Sequence, residues 1–321
     1  MSVSSITGYN SSLGHSKPAD VEAEQSQAPA KSRTDTADKQ GQGQPSASEA
    51  VTVSISAEAL LALSKSKENT SVVPSYYEQF FPTREGFSAH NLAAAVEDPG
   101  AQPFSQNRAF AEVAEAARAN LDGKYQQMRD SGQPFDKDSF EGVDWSSLFG
   151  ELDRRALYAV ASNEGGLFSE DEQDIAKSFM GNQQGLAMGA YAGPQSVRGN
   201  YSHPGMLDHA QSMKSGIQFM DAVSNEEKAS SFEWAEQRAV MQWSYENEMA
   251  ERGEMPEEID TEHPLVKLIK AAYETWEHRP GVMGNGNIRN EEDLRAQPWF
   301  KGFEGQLDSA IAKTRELYGV S

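Results

Sequence analysis

The side chains able to do chemistry gather first at one short stretch, Ala161-Ser-Asn-Glu-Gly-Gly-Leu-Phe-Ser-Glu-Asp-Glu172. Glu164 follows the Ala-rich apolar run Arg155–Ala161 and precedes two glycines. A carboxylic acid kept neutral by apolar surroundings can protonate a leaving oxygen. Asn163, Ser169 and Glu172 carry side-chain oxygens, donors of the hard kind. The same residues have a plainer reading. Ser169 and Glu172 stand three apart, as the two halves of a capping box do, and Glu164 then sits exposed at a helix end. Asp136 and Asp138 in Phe-Asp-Lys-Asp-Ser either share a cation or set negative charge before a helix, where the dipole favours it.

Other chemistries lack their residues. The six histidines, at positions 15, 90, 203, 209, 263 and 278, form no His-Glu-x-x-His and no zinc spacing. There is no Gly-x-Ser-x-Gly, no Walker loop and no dinucleotide glycine pattern. With no cysteine there is no disulfide, thiolate nucleophile or cysteine-bound metal. The formal charge of −21 opposes any general affinity for nucleic acid or anionic lipid. No apolar run is long enough to cross a bilayer, so membrane insertion is not expected. No cofactor is expected, and no catalytic residue is favoured.

Three resemblances qualify this picture. Residues 161–172 are similar to the calcium loop of EF-hands, with Gly166 at the sharp sixth position and Phe168 at the eighth. Asn163, Ser169 and Glu172 then occupy positions three, nine and twelve, while Ala161 stands where the family has Asp. Gly281-Val-Met-Gly-Asn-Gly-Asn-Ile-Arg-Asn-Glu-Glu292 repeats the spacing, again without an acid at position one. Separately, Arg155–Gly166 resembles the end of the catalytic helix of lytic transglycosylases, and Gly185-Leu-Ala-Met188 echoes that family's later Gly-Leu-Met segment. That resemblance implies a peptidoglycan-cleaving enzyme with Glu164 as its acid, although the family's Glu-Ser pair is missing. Finally, residues 1–50 hold ten serines, an aliphatic Val3 and no acid before Asp20. This start resembles the amino-terminal export regions of bacterial type III secretion substrates.

The elements that must position these residues read as helices. Residues 1–50 contain only Val3, Ile6, Leu13 and Val21 of the strongly apolar types, too few to offset the entropy of ordering, and are expected to be a disordered tail. Residues 51–75 form a short module and linker: Val51–Ile55 alternates like a strand, and Leu60, Leu61 and Leu63 line one face over Ala57–Ser66. That face either docks on a partner or packs back on the body. From residue 76 the body is helical. The aromatics Tyr76, Tyr77, Phe80, Phe81 and Phe87 are expected to cap a core, and a short helix covers Ala89–Glu97. Phe110, Val113, Ala117, Leu121 and Met128 make the next stripe, which Gly132 ends. Asp144 caps a helix running to Val160, and Gly165-Gly166 stops it. Ser169 opens a helix in which Gly181, Gly185 and Gly189 share a face and admit a neighbouring helix. Residues 191–205 are a breaker-rich loop at which the body is divisible in two. Helices follow at Met206–Val223, Asn225–Arg252 (with Ser224 and Glu227 as a second capping box), Pro264–His278 and Trp299–Tyr318. Trp234 and Trp243 on the longest of these do not fit one narrow stripe, so neighbours should cover that helix on two sides.

The expected fold is all-α, an irregular bundle of about eight helices behind a disordered tail. The expected function is a bacterial-type helical protein that binds another protein, made in the cytoplasm and exported, or linked to export, by a type III apparatus without a Sec signal peptide. The hydrolase using Glu164 and a degenerate EF-hand-like calcium module stand as its alternatives.

Overall fold

The computed structural model describes residues 75–202, 208–276 and 288–319. The expectations for the tail, for Val51–Ile55, for Ala57–Ser66 and for most of the loop 281–292 lie outside the described residues. Among those residues every regular element is helical, with eleven α-helices and five short 3-10 turns. No helix there is long and apolar enough to cross a membrane.

Five helices build a first apolar cluster: α1 (His90–Glu97), α2 (Phe110–Asp130), α3 (Val143–Phe149), α4 (Arg154–Ala161) and α5 (Glu170–Ala187). The stripe read from the spacing on α2 is the buried one, with Val113, Ala117, Leu121 and Met128 all closed to solvent. Helix α4 lies between α2 and α5 and is buried on every face, which is why it carries no polar stripe. Burying a side chain such as Leu157 there stabilises the fold by about 1.5–3 kcal/mol. The aromatics before α1 do cap this core. Phe80 meets Tyr191 and Tyr201 edge-on at 5.6 and 5.5 Å. The backbone N–H of Ser202 donates to the Tyr76 hydroxyl at 2.7 Å. The described part of the loop at 191–205 is therefore anchored by edge-on and tilted ring contacts, and residues 195–200 form a 3-10 turn within it.

A second cluster is built by α6 (His209–Ala222), α7 (Asn225–Ser230), α8 (Phe232–Glu251), α9 (Pro264–Trp276), α10 (Glu291–Arg295) and α11 (Glu304–Tyr318). Helix α8 packs on both α6 and α9, and α9 on α11. Trp234 is buried and donates its indole N–H to the Met220 carbonyl, while Trp243 is half-buried near Tyr273, so α8 is covered on two sides. The clusters meet where α5 touches α6 and α4 touches α7. There Arg154 and Glu227, each 3% exposed, pair at 2.7 Å. Arg154 also donates to the Met180 carbonyl and to Gln183 Oε1, and lies 4.7 Å from the centre of the Phe219 ring. Beside it, Arg155 pairs with Glu226 at 2.6 Å.

Several boundaries differ from the sequence reading. Asp144 does not cap α3: it lies inside the first turn, and its carboxylate takes the Arg84 guanidinium and the Asp136 N–H. The helix expected from 144 to 160 breaks at Gly150, where Asp153 caps α4 by accepting from Ala156 N–H. The second oxygen of Asp153 accepts from the backbone N–H of Phe104 and Ser105 and from the Ser105 hydroxyl. Asn163, at φ +54°, makes the left-handed turn after α4 ahead of the two glycines. The helix expected from 225 to 252 breaks at Ser231, whose hydroxyl caps α8 at Trp234 N–H. In the expected box at Ser224, only the serine caps, because Glu227 turns to Arg154. The last helix starts at Glu304, after a 3-10 turn at Pro298–Phe300. The two splits and α10 raise the expected count of about eight helices to eleven among the described residues. The glycine face on α5 does not receive a helix at Gly185, where the nearest neighbours are Ala192 and Ala190 of the following loop. Close approach happens instead at Gly216 of α6, against Met188 and Met241.

Candidate functional site

The turn at 161–172 brings Asn163, Ser169 and Glu172 together, and backbone donors and a guanidinium occupy their oxygens. Asn163 Oδ1 accepts from Phe168 N–H at 3.0 Å. Ser169 Oγ accepts from Glu172 N–H, and Glu172 Oε2 accepts from Ser169 N–H at 2.9 Å, completing the capping box. The Glu172 carboxylate, 4% exposed, also takes both Arg118 Nη1 contacts, at 3.0 and 2.9 Å, and the Tyr125 hydroxyl at 3.2 Å. Burial first, and then the Glu172 charge, push the Tyr125 phenol above its ordinary range. A calcium ion at the twelfth position would have to displace the half-buried Arg118 from the buried Glu172 carboxylate. Among the described residues no group of three or more acidic or histidine side chains is arranged to hold a metal.

Glu164 is half-buried at the start of a 3-10 turn, and Gly165, Gly166 and Leu167 beside it are exposed. No apolar sleeve surrounds its carboxyl among these neighbours. Gly185–Met188 lies at the opposite end of α5, about 22 Å of helix rise from the turn, so the two parts of the transglycosylase resemblance are not brought together. Asp136 and Asp138 are exposed, and Asp136 Oδ1 accepts from Asp138 N–H at 3.0 Å, a local turn. Of the histidines, His90 and His209 are exposed and His263 is fully buried, while the other three lie outside the described residues.

Two features were missed in the sequence. Across the α8–α9 contact, the Tyr273 hydroxyl donates to Glu236 Oε1 at 2.7 Å, and the Tyr273 ring stacks on Trp299 at 4.2 Å. Burial pushes the Glu236 carboxyl up despite this donor, and burial likewise raises Glu233 one turn earlier. The donor to Glu236 lies 37 positions along the chain, so no local pattern announces it. The second feature is a run of charge. Between residues 246 and 262 there are eight acids and one base, Arg252. Glu254, Met255, Glu257 and Glu258 are exposed there, Met255 at 89%. Glu254 and Glu258 make no ion pair among the described residues, whereas Glu257 holds Lys214 at 2.6 Å. A count of charge along the chain would have found this run.

Cavities add little. A shallow depression between α7, α9 and α11, bordered by Phe232, Leu265, Ile311 and Arg315, has room for about one water molecule. Comparison with protein-family models, with curated proteins and with solved structures finds no match for this chain.

Proposed function

We propose that this chain is an exported or export-linked protein whose acidic helical body binds another protein. The composition of residues 1–50 carries the reading: ten serines, an aliphatic third residue and no acid before Asp20. A narrow export channel needs a leader that does not fold, and so sparse an apolar content cannot drive folding. The binding half is supported by the acidic run at 246–262 around the exposed Met255, since clustered charge of one sign steers a partner of the opposite sign and an exposed thioether gives it an apolar foothold. Its partner would therefore present a basic surface.

The test is a fusion of residues 1–50 to a folded reporter in a strain with a working type III apparatus. Secretion that stops when the apparatus is disabled is the expected result. Retention of the reporter inside competent cells overturns the export half. For the binding half, replacing Glu254, Glu257 and Glu258 by Gln together should weaken association with a co-purified partner and flatten its salt dependence. Unchanged association would remove that surface from the account.

A further inference from the structure

His263 is fully buried at the joint of four helices, and its ring is fixed in one neutral form by hydrogen bonds on both sides. Its Nδ1 accepts from the Val266 N–H at 3.2 Å, and Nε2 lies 2.8 Å from the Lys228 carbonyl. A backbone N–H can only donate and a carbonyl can only accept, so the ring carries its proton on Nε2. The ring lies between Trp234 of α8 at 4.9 Å and Tyr318 of α11 at 5.4 Å. The His263 carbonyl accepts from Lys267 N–H, so the same residue secures the first turn of α9 twice.

We propose that His263 is an acid-sensitive latch, and that its protonation frees the start of α9 and uncovers the apolar seam of Phe232, Leu265 and Ile311. A second ring proton would place Nδ1–H against the Val266 N–H, donor facing donor, at the positive end of α9. The charged groups around it do not relieve this. Arg238 of α8 is fully buried and repels a second cation, and Asp221 at the end of α6 is already engaged by Arg238 through both oxygens. Lys228 of α7 presents its carbonyl but brings a further positive charge, and Tyr318 is neutral. On the segment leading into α9, Glu262 is exposed and paired with Lys267. Burial, with Arg238 second among the repelling influences, accordingly holds the imidazole below its ordinary value. Leu265 and Thr314 are joined by a hydrogen bond beside the shallow depression, so loosening α9 there parts it from α11.

The experiment compares the full chain with His263→Gln between about pH 7.5 and about pH 5.5, using a neutral solvent-sensitive dye. Gln keeps a donor for the Lys228 carbonyl and cannot titrate in this range. Dye emission should rise severalfold on acidification in the parent chain and stay flat in His263→Gln. An equal rise in both, or none in either, overturns the latch. Should His263→Gln not fold, ring nitrogen resonances of the parent chain decide. The expected result is a single proton on Nε2 at the higher pH, with gain of the second proton accompanied by lost exchange protection at Val266. Titration that leaves Val266 protected overturns the proposal.

Discussion

Glu236 accepts a hydrogen bond from Tyr273, yet its carboxyl is held above the ordinary carboxylate range because loss of water outweighs one donor. An acid whose pKa is raised by folding binds its proton more tightly in the folded state. Its contribution is therefore most favourable at low pH and is lost as pH rises from the unfolded value toward the folded one. Replacing Glu236 by Gln removes that ionisation and keeps an acceptor for the phenol. Glu236→Gln should stabilise the chain at neutral pH by about 1 kcal/mol, or about 2–4 °C in Tm, with the gain shrinking below the carboxylate range. Thermal melts at neutral and acidic pH check both parts. At this scale only local partners were legible in the sequence. Ser169 and Glu172 are three residues apart and were readable as a cap, whereas the Arg118 that claims the same carboxylate is 54 residues away.

The stripe on α2 and the box at Ser169 could be read from spacing because a helix brings neighbours three and four positions apart to one face. The break between α3 and α4 could not, since its cause lies in another segment. A side chain at Gly150 would enter the shell of the Ser88 carbonyl oxygen and come within 2.8 Å of Ala89 Cα, so the chain passes there only as glycine. Gly123, in the middle of α2, has nothing within 4 Å of an added Cβ. The same substitution should therefore have opposite signs at the two places. Gly150→Ala should cost about 1–3 kcal/mol by overpacking, and Gly123→Ala should gain about 0.5–1 kcal/mol by helix propensity. Urea denaturation of the two variants measures the pair. The split at Ser231 has a local cause, a hydroxyl capping Trp234 N–H three residues on, but a serine inside a long helical pattern also reads as an ordinary interior residue.

Among the described residues two apolar clusters meet across a seam that holds a buried ionic pair, Arg154–Glu227. The sequence offered residues 191–205 as a place to divide the body but gave no sign of this pair, whose members are 73 positions apart. Truncating one partner leaves the other charged, dry and alone. Arg154→Ala should cost about 3–5 kcal/mol, while Arg154→Met combined with Glu227→Met should recover most of that loss. Denaturation followed by tryptophan fluorescence separates the two outcomes. Close to the same junction, Gly216 sits so near Met241 and Met188 that a Cβ there would lie 2.7 and 2.9 Å from their sulfurs. A chain without thiols is indifferent to disulfide exchange, but these thioethers can still take up oxygen from a peroxide. Conversion of either one to its sulfoxide adds a polar atom to a crowded crossing of α6 and α8, so oxidative damage here acts as a wedge between helices.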